Sequence, residues 1–134
     1  MNDAYTPRIN YLQNMTTTIE QDIKDAGVDK FPRITPARIE FCIQCEYYFT
    51  AGDAVSYQMG PVTGYKYPGA LDLLTLCVLV LNNGFTVTGE SACASPENFN
   101  AEIGKKIARQ NAVQKIWMLE GYLLKEKLYL NSEL

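Results

Sequence analysis

The sequence predicts one α+β domain over residues 1–134: a small antiparallel sheet built on a hairpin at residues 74–93, packed with a long C-terminal helix and two shorter N-terminal helices. Three observations predict it. Two β-rich runs, Leu74–Leu81 and Phe85–Cys93, flank "NNG", and an Asn-Gly pair between such runs is the strongest short-range hairpin signal. After Ser95 and Pro96 no further proline interrupts an apolar pattern of helical period. Ahead of the hairpin stand two helix starts, each with a residue suited to capping.

The first helix is "TTTIEQDIKDAG": Thr17 with Glu20, or Thr18 with Gln21, forms a capping box, and Gly27 suits the position past its end. Residues 1–31 read as a peripheral or oligomerisation segment, and Pro32 then breaks the pattern. "TPARIEFCIQCEYYFTAG" restarts it, with Thr35 as cap and Pro36 at the first helical position. Ile39, Ile43 and Tyr47 fall on one side of that expected helix. From Thr50 to Ala70 glycine and proline recur and no period survives, which predicts a long loop, with Tyr57, Tyr65 and Tyr67 as anchors or as a stacking surface for a flat ligand.

In the hairpin the first strand is apolar on both faces. The second alternates, with Phe85, Val87 and Gly89 on one side and Thr86, Thr88 and Glu90 on the other. The last helix is expected to begin with Ser95 as cap and to bend near Gly121. Its apolar residues, from Phe99 to Leu124, spread around more of the cylinder than a one-sided sheet contact uses, so part of that surface is expected to lie between subunits.

Composition removes several function classes. A net charge of −3 supplies no field that would draw the chain to DNA or RNA. The longest apolar run, Leu73–Leu81, is far short of the roughly 20 residues of a membrane span, and no signal-peptide pattern opens the chain, so the expected location is the cytoplasm. There are four cysteines and no histidine. Cys42-x-x-Cys45 stands within a helical pattern without a second ligand pair, which favours small buried hydrophobes over zinc. The absence of histidine removes the Ser-His and Cys-His nucleophile arrangements, and neither a cofactor nor a bound metal is expected.

One positive patch stands out in this acidic chain. Between Ile103 and Leu119 lie Lys105, Lys106, Arg109 and Lys115 and no acid. Lys105 and Arg109, four apart, share a helix face close to the helix start, a combination suited to phosphates. Glu97 and Glu102 in the first turns oppose an anion there, and a solvated charged face is the alternative reading. Phe85 beside the turn and the hydroxyls of Thr86, Thr88 and Ser91 would complete a nucleotide pocket, although each is also an ordinary strand residue.

"ITPARIEFCI", "LLTLCVLVLNNGFTVTGESACASPENFNAEIGKKIAR" and "NAVQKIWMLEGYLLKEKL" resemble a family of small accessory proteins of tailed phages and prophages, a family taken to include the type-one Thoeris anti-defence proteins. The resemblance runs from about Pro32 to Leu128. It implies a non-enzymatic sponge in the cytoplasm of the bacterial host. Such a protein binds immune signalling nucleotides, glycocyclic ADP-ribose and cyclic di- or trinucleotides, without cleaving them, in dimers or hexamers whose pockets are built by more than one subunit. On this reading the ligand-binding residues are Phe85, Thr88, Lys105 and Arg109: Phe85 stacks on a base, Lys105 and Arg109 neutralise phosphates, and reversing the charge of Arg109 leaves folding intact. The competing readings are a module that binds and inhibits a host factor through its apolar helix, and a nucleotide hydrolase using Glu90 or Glu97 with a metal.

Overall fold

The structure is a computed structural model that describes residues 18–61 and 66–132; Thr17 and Tyr65 lie outside that range. Residues 18–25 are helical (α1). Then follow α2 (Pro36–Cys42), β1 (Ile43–Thr50), α3 (Ala51–Met59), a 3₁₀ turn (Gly69–Leu73), β2 (Leu74–Leu81), β3 (Thr86–Ala92), a second 3₁₀ turn (Pro96–Asn98) and α4 (Ala101–Ser132). The three strands form one antiparallel sheet in the order β1-β2-β3. The α+β class, the hairpin and the long last helix are as the sequence predicts.

The second helix is shorter than its pattern. Thr35 caps α2 by accepting from the amide of Arg38 at 3.1 Å, but the helix stops at Cys42 and the chain becomes strand β1. "IQCEYYFT" is a run of strong strand formers, and the ladder to β2 outweighs a helical spacing that fitted only every fourth residue. The hairpin turn closes the helix end. The amide of Asn82 donates to the carbonyl of Cys42 at 2.9 Å and its side chain to that of Phe41 at 2.7 Å, taking up acceptors that a helix terminus leaves open.

The expected loop from Thr50 is helix in its first half. Thr50 and Asp53 make a reciprocal capping box, the hydroxyl accepting from the Asp53 amide at 3.0 Å and the carboxylate from the Thr50 amide at 2.9 Å, which starts α3 despite the glycines. In the hairpin only Gly84 has positive φ, at 86°. The connection is therefore a three-residue loop with a glycine bulge rather than the two-residue turn that Asn-Gly usually marks. Ser95 and Pro96 open only the short second 3₁₀ turn, and α4 is capped instead by Asn100, whose side chain accepts from the Ile103 amide at 3.0 Å. Gly121 lies inside an unbroken helix.

The core lies on one face of the sheet. Gly104, Ala108, Ala112 and Ile116 recur every four residues on α4; Gly104 lies over Thr75 of β2, and the other three pack with Cys77 and Leu79 of β2 and Val87 of β3, with Ile39 and Cys42 of α2 completing the cluster. Small residues bring the helix axis close to the sheet, and at the crossing β3 has no side chain at all: a Cβ on Gly89 would collide with the backbone of Ala108 and Ala112. On the opposite face β2 presents Leu74, Leu76, Val78 and Val80, all half-buried. C-x-x-C is thereby split, with Cys42 in the core and Cys45 paired with Val80 on the opposite face, and all four cysteines are unpaired thiols. Among the described residues no helix is long and apolar enough to cross a membrane.

Candidate functional site

The four residues singled out in the sequence do not meet within one chain. Thr88 pairs with Val78 and so faces away from α4, which covers the Val87 and Gly89 side. Lys105 sits at the start of α4 with its ammonium 3.4 Å from Glu102. Phe85 lies at the other end of the sheet, against Met118, Leu119, Tyr122 and Leu123 of α4. At 1.5 Å per helical residue, Lys105 and Leu119 are about 21 Å apart along the helix axis.

Arg109 is a clamp. Its two terminal nitrogens donate to both oxygens of Glu40 at 3.0 and 2.7 Å, and its Nε donates to Glu46 at 2.8 Å. The hydroxyl of Tyr48 donates to the other oxygen of Glu46 at 3.1 Å. These hydrogen bonds join α2, β1 and α4, and they occupy the fork that a phosphate would need. The Glu40 carboxyl is held below its ordinary range, chiefly by the bonds from Arg109, against the opposing effect of burial. Burial first, and then the neighbouring Cys77 and Glu46, push the Tyr48 hydroxyl well above its ordinary value. Charge reversal at Arg109 would set three acids together and loosen the fold, contrary to the expectation that folding survives it.

Phe85 borders a groove, beside residues other than Lys105 and Arg109. The groove between the hairpin turn and α4 has a volume of about 290 Å³ and is lined mainly by Leu81, Phe85, Met118, Leu119, Tyr122 and Leu123, with Asn83 and Glu120 as its polar groups. Two aromatic rings border it, and both are largely open to solvent: Phe85 is 54% and Tyr122 70% exposed. A second hollow of about 160 Å³ shares Leu81, Asn83, Glu120 and Leu123 with it and is lined also by Cys42 and Arg38. Arg38 pairs with Glu120 at 3.1 Å and stacks over Phe41, 5.6 Å from the ring centre. On α4 itself Lys115 stands one turn before Met118 and Lys125 one turn after Tyr122, on the same stripe, and neither is paired with a carboxylate among the described residues.

A signal for this pairing was present in the sequence. A helix that follows β3 after a short connection returns antiparallel across it, so the start of the strand meets the helix well past its own start. From Phe85 to Ala92 the strand spans about 23 Å, which matches about fifteen helical residues and points to the neighbourhood of Met118.

Beyond Leu119 the helix leaves the sheet. From Gly121 to Ser132 every residue but Leu124 is exposed, and the exposed set includes Tyr122, Leu123, Leu128, Tyr129 and Leu130. This overhang adjoins the groove. Among the described residues no cluster of three or more carboxylates and cysteines is placed to hold a metal.

The fold and this surface define a small α+β protein built around a one-sided sheet, with an aromatic groove and a helix end that no other described element covers. By sequence the chain belongs to the phage protein (N4 Gp49/phage Sf6 gene 66) family, whose model matches residues 34–128. No curated protein and no solved structure matches it.

Proposed function

We propose that this phage protein is a non-enzymatic sponge that self-assembles through the overhang of α4 and retains bacterial immune signalling nucleotides, glycocyclic ADP-ribose or cyclic di- and trinucleotides, in the cytoplasm of the host. The observation that carries the reading is the groove between Phe85 and Tyr122. Two aromatic rings border it, and stacking of a base on such a ring contributes about 1–3 kcal/mol. Lys115 and Lys125 flank it with free ammonium groups, the role first given to Lys105 and Arg109. Its outer wall is missing in a single chain, and the α4 overhang of a second copy supplies it. The resemblance to type-one Thoeris anti-defence proteins, noted from the sequence, points to the same ligands.

The test is retention. The protein is incubated with a panel of such nucleotides, freed of unbound ligand and boiled; intact nucleotide in the supernatant supports the reading, and an empty supernatant for every ligand overturns it. New products in the same tube would favour the hydrolase reading. The exposed apolar overhang also suits a module that binds and inhibits a host factor, and stoichiometric capture of one host protein beside an empty nucleotide assay would favour that reading.

A further inference from the structure

We infer that Glu120 reads the edge of the base held in the Phe85 groove and selects guanine, a reading that rests on the proposed function and narrows its guest to a guanine-bearing cyclic nucleotide. Glu120 lines both the groove and the hollow beside it, and only 13% of its side chain is exposed. Its salt bridge is to Arg38, which balances its charge but donates through Nε to a single oxygen, at 3.1 Å. The Cys42 thiol beside it is a weak donor. A carboxylate has room for about four hydrogen bonds, and one so sheltered from water gains from each donor that reaches it. Glu120 therefore keeps accepting capacity inside the site.

An acid repels phosphate, so the part of the guest that meets Glu120 is one that donates. Guanine sets two donors side by side on its pairing edge, the ring N1–H and the N2 amine, and these match the two oxygens of a carboxylate. Adenine places the lone pair of its ring N1 beside its amine, and cytosine does the same with N3. Uracil flanks its one N–H with two carbonyl oxygens. Each of the three would therefore set an acceptor against the acid. The remaining group on the guanine edge is the O6 acceptor, and Asn83 supplies a donor for it. The Oδ1 of Asn83 accepts from the Phe85 amide at 3.0 Å, which leaves the two N–H groups of its side chain as donors in the lining of the groove. Guanine is thus satisfied along its whole edge. Sites that discriminate by hydrogen bonding reject the wrong guest more strongly than apolar contacts do, because the rejected guest leaves sheltered polar groups unpaired.

The test is calorimetric titration of the full chain with cyclic di-GMP, cyclic di-IMP and cyclic di-AMP. Inosine differs from guanosine in lacking the N2 amine alone. The wild type is expected to bind the guanine ligand most tightly, the inosine ligand less and the adenine ligand least, with about tenfold or more between first and last. Glu120→Gln still accepts from Arg38 but replaces one acceptor by a donor. It is expected to bring the guanine and adenine ligands within about twofold of each other, with unchanged circular dichroism. Equal binding of the three ligands, a preference for adenine, retention of glycocyclic ADP-ribose alone, or a guanine preference that survives in folded Glu120→Gln overturns the assignment and leaves the nucleotide sponge standing. The inosine comparison uses the wild type and decides the matter should the variant not fold. Absence of binding for every nucleotide overturns both.

Discussion

Gly89 of β3 lies so close beneath Ala108 of α4 that a Cβ at Gly89 would collide with the carbonyl oxygen of the alanine. The helix crosses the sheet at that point, and the crossing fixes which part of α4 lies over the sheet and which part runs past it. Gly89→Ala is expected to lift the helix and destabilise the fold by about 3 kcal/mol, the upper end of the cost of overpacking, because backbone cannot move aside as a side chain tip can. Urea denaturation of the two proteins measures it.

Arg109→Ala tests whether this cation serves the fold or a ligand. Loss of its bonds to Glu40 and Glu46 is expected to cost about 2 kcal/mol, within the range for hydrogen bonds to charged groups and moderated by partial exposure. Nucleotide retention by the protein that remains folded should stay within about twofold of wild type. An unchanged melting temperature with lost retention would return Arg109 to the ligand.

The same clamp gives stability a pH dependence. The folded-state pKa of Glu40 is depressed by Arg109, so the stabilisation is fully present above the unfolded value of about 4.3 and is lost as pH falls through the lower folded value. The melting temperature should be flat from about pH 7 to 5 and fall below about pH 4.3. The fall should be shallower in Arg109→Ala. Equal acid sensitivity of the two proteins would contradict the assignment.

The overhang carries the assembly prediction. From Lys125 to Ser132 every residue of α4 is exposed, Leu128, Tyr129 and Leu130 among them, and apolar side chains grouped at a helix end mark a contact surface. Leu123→Asp combined with Leu130→Asp is expected to yield a folded monomer by light scattering. An unchanged mass would place the contact elsewhere.

What the sequence disclosed follows from how local each signal is. The hairpin and α4 announce themselves through neighbouring residues: the Asn-Gly turn, and an unbroken apolar period. Strand β1 was hidden because Ile39, Ile43 and Tyr47 are spaced four apart, which imitates a helix, while its partner in β2 lies some thirty residues on. Helix α3 was masked by glycine and proline density, although Thr50 and Asp53 carried its start signal. The role of Arg109 depends on acids 63 and 69 residues away and could not be read locally. Phe85 was grouped with Lys105 and Arg109 at the start of α4, whereas within one chain the antiparallel return of the helix sets it beside Met118 and Tyr122.

The position of the bound nucleotide decides between the Phe85 groove and the start of α4. Crystals of the assembly soaked with whichever nucleotide the protein retains should show a base between Phe85 and Tyr122, with phosphates toward Lys115 or Lys125. Density beside Lys105 and Arg109 instead, or retention undiminished in Phe85→Ala, would contradict it.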